Sequence, residues 1–265
     1  VIKDLVAEDN LQNHIKLLEE LASPCVYGVA DGSVNSLGCS KVGGLPHADK
    51  DFIWPKYKGV PLEFVVQLNL NDLEGTNLPD TGLLLFFYAN GVWTDKKMHK
   101  DFFRVIHVHD MESLEVKEPK FKDKKRLFGL LKSKIMPLVF DEYGIGFYSG
   151  NSLPDLDNVD TIPSLSLFDN DDELLKSYCD LKWGLSEKAI LQIGGYPNPV
   201  QYDGIAAGAA SIIEKGAAND WELLLEVDSK LGFMWGDAGR LYFYIHKDDL
   251  KTAKFADVWM EFQCH

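Results

Sequence analysis

From Leu11 onward, apolar residues recur at steps of four and three: Leu11, Ile15, Leu18 and Leu21. That spacing places one apolar stripe along a helix. Asp9 or Asn10 stands where a side-chain oxygen can accept from a free backbone N–H of the first turn, and Pro24 blocks continuation past the end. Residues 26–29 predict a short strand, and the stretch from Asp31 to Gly44, rich in Gly, Ser and Asn, reads as loop. From Leu62 the period changes to two. Leu62, Phe64, Val66, Leu68 and Leu70 alternate with Glu63, Val65, Gln67 and Asn69, which predicts a strand with one buried face. Asn71 to Leu73 starts a single helical turn, and Leu78 to Gly82 is a turn in which Asp80 and Gly82 supply the local bond and the open φ. Leu83 to Tyr88 is a near-continuous apolar run, the pattern of a strand buried on both faces. Phe103 to Val108 predicts another strand, and Asp171 to Cys179 a short helix with Leu174, Leu175 and Tyr178 inward.

The pattern returns in the second half. Gly43-Gly-Leu-Pro46 is matched by Gly194-Gly-Tyr-Pro197. Leu62, Phe64, Val66 and Leu68 fall in phase with Trp221, Leu223, Leu225 and Val227, and the polar Glu63, Gln67 and Asn69 with Glu222, Glu226 and Asp228. Asp80-Thr-Gly-Leu-Leu-Leu-Phe-Phe87 matches Asp237-Ala-Gly-Arg-Leu-Tyr-Phe-Tyr244. Polar and apolar faces both repeat, which predicts an internal duplication of a β-rich half with a pseudo-two-fold axis. The copies run over about 37–110 and 187–265, joined by a charged segment at 111–186, and the second carries an Ala-rich insertion, 204–216, that favours a helix. The expected fold is α+β, mainly antiparallel β with peripheral helices. One copy has too few elements to cover its own apolar strands, so residues 1–265 are expected to form a single compact domain.

The same residues carry a family resemblance. GGLP, five residues, then Phe52-Ile-Trp-Pro55; PLEFVVQLNLNDL from Pro61; LPDTGLLLFFY from Leu78; IGGYPNPVQYD from Ile193; FMWGDAGRLYFYI from Phe233; and the closing Phe-Gln-Cys264 together resemble the YwqG-like family over roughly residues 37–264. The resemblance implies a bacterial-type soluble protein with a duplicated, β-rich fold. It implies no established reaction and supplies no catalytic residues.

Composition adds limits. With 46% hydrophobic and 26% charged residues over 265, disorder, collagen and coiled coil are excluded as whole-chain readings. Apolar runs such as Leu83 to Ala89 are too short for a membrane-spanning helix, and no membrane partner is expected. The net charge of −14 disfavours nucleic acid and points, if anywhere, to a basic protein partner. Cys25, Cys39, Cys179 and Cys264 include no C-x-x-C pair, so neither a zinc site nor a redox motif is indicated. Isolated cysteines fit reduced thiols, and the cytoplasm is the expected compartment. The start, VIKDLVAEDN, lacks the layout of a signal peptide, although a chain opening on Val1 leaves a removed segment open. Residues 117–134 hold eight Lys or Arg, while 155–175 hold seven Asp or Glu and no Lys or Arg. These are either two solvated faces or one bipolar contact surface.

Phosphate-loop, dinucleotide, serine-hydrolase and zinc-protease motifs are absent, and no cofactor is expected. Gly144-Ile-Gly146 reads as a tight backbone approach. His107 and His109 share a strand face, with Asp110 and His99 nearby in sequence, but zinc needs three or more converging ligands; two solvated histidines are the simpler reading, and no metal is expected. Asp80 and Asp237 occupy the same place in each copy. They either bond their own turns or converge as an acid/base pair. Trp54 and Trp235 lie on loops beside these turns, and Gln67 and Glu226 lie on equivalent strand faces. Trp54, Gln67, Asp80, Glu226, Trp235 and Asp237 are therefore the candidate ligand or partner site. The leading expectation is a binding or regulatory protein; the alternative is a hydrolase-type enzyme using Asp80 and Asp237 between the halves.

Overall fold

The computed structural model describes residues 2–6, 10–90, 100–119 and 138–265. In chain order the strands are β1 (Ser23–Ala30), β2 (Lys41–Val42), β3 (His47–Ala48), β4 (Lys56–Tyr57), β5 (Val60–Pro61), β6 (Glu63–Asn69), β7 (Leu83–Tyr88), β8 (Phe103–Val108), β9 (Glu115–Val116), β10 (Tyr143–Ser152), β11 (Leu191–Ile193), β12 (Trp221–Asp228), β13 (Arg240–His246) and β14 (Trp259–Gln263). The chain forms two compact units: residues 1–30, 75–78 and 146–265 make one, and residues 31–74 and 79–145 the other. The fold is mainly antiparallel β with a few helices.

The larger unit has the strand order β14-β13-β12-β11-β1, with every described pairing antiparallel. Its helical part begins with the short helix Ile2–Leu5, followed by a 3-10 turn, Asn10–His14, that runs into the helix Ile15–Leu21. The expected stripe is present: Leu11, Leu18 and Leu21 are buried. They pack in one cluster with Phe168, Tyr178, Leu181 and Leu185. Asn10 lies inside its turn and donates to Glu173, so it is not the cap; Asp9 falls outside the described residues. The helix expected from Asp171 to Cys179 continues to Ser186, and Asp171 caps it by accepting from the N–H groups of Glu173 and Leu174. Phe168 stacks on Tyr178 at 4.7 Å, and the Tyr178 hydroxyl donates to the Pro154 carbonyl at 2.8 Å. The Ala-rich insertion is the helix Ile205–Ile213.

The smaller unit has the order β10-β2-β6-β7-β8, with β10 joining through Tyr143 and Gly144. Two short ribbons, β3 with β9 and β4 with β5, complete it. All six residues of β7 are buried, as its apolar run predicts. Gly144 exchanges backbone bonds with Asp31 and Gly32, the close approach expected of that G-x-G.

The strand β6 differs from expectation. Both of its faces are buried from Phe64 to Leu68, including Val65 and Gln67 at 0% exposure. A bulge between Phe64 and Val66 breaks the simple alternation against β7, and Gln67 is buried because its amide is fully bonded. The strand β12, whose sequence falls in phase with that of β6, also has a bulge, between Leu223 and Leu225. No helix among the described residues is long and apolar enough to cross a membrane.

The larger unit needs both ends of the chain. Val26 of β1 pairs with Ile193 of β11, and Leu11 and Leu18 need Phe168 and Tyr178. A fragment of residues 1–150 leaves those faces open to water. It is expected to aggregate or melt without cooperativity, measured by circular dichroism; a soluble fragment with a sharp transition would contradict this.

Candidate functional site

The site grows from a two-residue strand. In β2, Lys41 has 0% exposure, which is rare for lysine because a buried charge is costly unless paired. Its Nζ donates to the Leu45 carbonyl and to Glu142 Oε1, both at 2.5 Å. It also stands 3.3 Å from His47 Nε2 and 5.8 Å from the centroid of the Phe64 ring.

Gln67 organises the other side. It faces Lys41 across the β2–β6 pairing. Its Oε1 accepts the backbone N–H of His47 at 2.7 Å, and its Nε2 donates to the Cys39 carbonyl at 2.7 Å. That fixes the amide orientation and leaves Nε2 3.1 Å from His47 Nδ1. Nδ1 also accepts the N–H of Gly38 at 3.0 Å, as an unprotonated ring nitrogen does. Burial, and next the charge of Lys41, hold the His47 pKa down to about 4.

The turn Gly43-Gly44 explains how Glu142 arrives. Both glycines have left-handed φ, +68° and +66°. A Cβ on Gly43 would stand 2.0 Å from the Asp141 carbonyl oxygen, and one on Gly44 2.2 Å from Glu142 Oε1. Missing side chains therefore let the Asp141-Glu142 segment lie against the turn and reach Lys41. A pocket of about 470 Å³ opens here, lined by Val34, Asn35, Ser36, Leu37, Lys41, Gly44, Leu45, His47, Val116 and Glu142. Every one of these residues lies in the smaller unit.

The larger unit has a similar local arrangement with other side chains. Gly194 and Gly195 have φ of +71° and +70°. Gln192 on β11 faces Glu226 on β12, as Lys41 faces Gln67. Glu226 Oε2 accepts the backbone N–H of Asn198 at 2.8 Å, as Gln67 accepts that of His47. The cation here comes from β13: Arg240 donates to the Asn198 carbonyl at 2.6 Å and stands 3.2 Å from Asp228 and 3.6 Å from Glu226. The Tyr242 hydroxyl donates to the same carbonyl at 2.8 Å. Burial pushes the Glu226 carboxyl above its ordinary range, and the Arg240 charge opposes that. The cavity beside this cluster is about 10 Å³, room for about one water molecule.

The six residues expected at a site divide between the units. Trp54, Gln67 and Asp80 belong to the smaller one, and Glu226, Trp235 and Asp237 to the larger. Trp54 is buried, with its Nε1 donating to the Leu62 carbonyl at 2.8 Å and its ring against Phe87. Trp235 is buried and packs on Phe233. Gln67 and Glu226 are buried acceptors of backbone N–H groups. Asp80 and Asp237 are exposed. Sequence reading missed Lys41, His47, Glu142, Asn198 and Arg240.

His107 and His109 lie with ring centroids 3.9 Å apart, and the Thr81 carbonyl is 3.1 Å from His107 Nε2. Among the described residues no group of three His, Cys, Asp or Glu is placed to hold a metal. Within the acidic stretch, Asp155 pairs with Lys182 at 2.8 Å. The basic block, from Lys120 onward, and His99 lie outside the described residues.

A family model described as a domain of unknown function, DUF1963, matches residues 40–264. The chain belongs to this family. The DUF1963 region starts one residue before Lys41 and spans both Gly-Gly turns and both polar clusters. No curated protein matches the chain.

Two predictions follow from this geometry. Gly43→Ala meets a backbone oxygen, so it should lower stability by more than the ~1–2 kcal/mol that a left-handed alanine costs alone. Gly44→Ala pushes on the Glu142 carboxylate, the counter-ion of buried Lys41, and should also cost more than that figure, though less than Gly43→Ala because a side chain and not the backbone must move; denaturant midpoints of the two variants check the order. The second concerns pH. His47 titrates near 4 in the fold against an ordinary 6.5, so stability should fall as pH drops through that window. Glu63 has the opposite sign: burial, opposed by the backbone N–H groups of Leu138 and Asn90, raises its pKa from 4.5 to about 7. Its contribution is complete below 4.5 and is lost as pH rises through 7. His47→Gln should flatten the first slope and Glu63→Gln the second, read from melting temperature against pH.

Proposed function

We propose that this protein is a binding protein of YwqG-like type, and that its ligand site is the Lys41–His47–Glu142 pocket. One observation carries this reading. The two units use a similar frame of Gly-Gly turn, short strand and side-chain acceptor, yet beside one there is free space of about 10 Å³ and beside the other about 470 Å³, in a depression broadly open to solvent. The closed cluster is what this frame needs for structure alone. The open one has a volume in the range of small-molecule sites and combines apolar walls with a few fixed polar groups. A regulatory role is consistent with such a site, since ligand binding stabilises the form that binds it.

Walls and floor can be tested separately. Val116 lines the pocket and is 51% exposed, so Val116→Trp should fill space without disturbing the core. Soaking the protein with a fragment library, read by ligand-observed NMR, should give hits that compete with one another and disappear in Val116→Trp. Hits unaffected by that substitution would place binding elsewhere and refute the reading. Gln67→Leu should instead destabilise the protein by ~2–4 kcal/mol, because it strands the His47 N–H and the Cys39 carbonyl in the interior.

A further inference from the structure

The accessible charge of the pocket decides what it can hold. Among the described residues, two charged side chains line it. Lys41 has 1% of its side chain exposed and Glu142 has 40%. The cation is occupied by the Leu45 carbonyl and by Glu142, and turning it outward would break both bonds. Among the described residues, the charged group that a ligand entering from solvent meets is therefore the part-exposed Glu142 carboxylate, whose Oε1 is already held by Lys41. At the rim, Leu37 and Val116 are 56% and 51% exposed, with Val34 and Leu45 half-buried beside them. Such a wall suits an aliphatic stem. The chain's charge of −14 concentrates cations and repels anions at its surface. Among the described residues no three metal ligands converge into a ready-made cage for an inorganic cation, whereas one carboxylate suffices for a charge-assisted bond to an organic one.

Taking the pocket as the ligand site proposed above, we infer that it binds an alkylammonium group: a primary amine on an apolar stem, with the amine on Glu142 and the stem against Leu37 and Val116. The same chemistry is offered by a free aliphatic amine and by the lysine side chain of a basic polypeptide.

The test uses the full chain and four probes: hexylamine, hexanoate, hexanol, and a short peptide with one lysine and blocked ends. Calorimetric titration at neutral pH should show hexylamine binding and hexanoate failing to bind. Glu142→Gln should weaken the amine about tenfold or more, the scale of a lost charge-assisted hydrogen bond. Val116→Trp should weaken it as well, which ties the effect to this pocket. Stronger binding of the peptide would assign the lysine side chain of a partner as the source; stronger binding of hexylamine would assign a free amine. Hexanoate or hexanol binding in place of the amine, abolished by Val116→Trp, would overturn the ligand class while leaving the pocket intact as a binding site. Amine binding unchanged in Glu142→Gln would overturn the inference even if the pocket were occupied. Failure of all four probes at millimolar concentration, together with a fragment library that yields no competing hits, would overturn both readings.

Discussion

One backbone N–H in each unit governs what surrounds it. Four residues past the first glycine of each Gly-Gly turn, the chain runs over the sheet and its amide, that of His47 or Asn198, points into the interior. An unpaired buried amide is among the costlier defects a fold can carry. Each unit resolves it with a long polar side chain from the adjacent strand, Gln67 in one and Glu226 in the other. The rest follows from that choice. A buried glutamine needs acceptors for its NH₂ group, found in the Cys39 carbonyl. A buried glutamate needs a cation, found in Arg240.

The different solutions account for the different shapes. Glu226 draws Arg240 across from β13, and the guanidinium, with Asp228 and Tyr242, closes the space. The β13 position of Arg240 pairs with Asp228; its counterpart on β7 is Leu83, paired with Asn69, so no arginine enters the smaller unit from that side. There the cation stands on β2 as Lys41, and its counter-ion, Glu142, comes from the segment that enters β10. A partner carried on a connecting segment leaves an opening where a partner on a neighbouring strand fills it.

Much of the fold was legible because burial on strands writes itself into periodicity. Leu83 to Tyr88 and the stripe from Leu11 to Leu21 behave as their patterns predict. Leu62 to Leu70 does not, because Gln67 reads as a solvent-facing residue when polarity alone is considered. Its burial depends on partners distant in sequence, Cys39 and His47, which no local pattern records. Lys41 is hidden for the same reason: a lysine in sequence reads as a surface residue. A signal was nonetheless present. The match between Gly43-Gly-Leu-Pro46 and Gly194-Gly-Tyr-Pro197 extends two residues back to Lys41 and Gln192 and one forward to His47 and Asn198. Polar residues at both flanks of both turns are what a buried hydrogen-bonded frame requires.

The amides of His47 and Asn198 also have a use as spectators. Each is tied to a side-chain oxygen inside its own unit, so its proton meets solvent only when that frame opens. Native-state hydrogen exchange at these two sites gives two local opening free energies from one molecule. Unequal values identify which of the two loosens first.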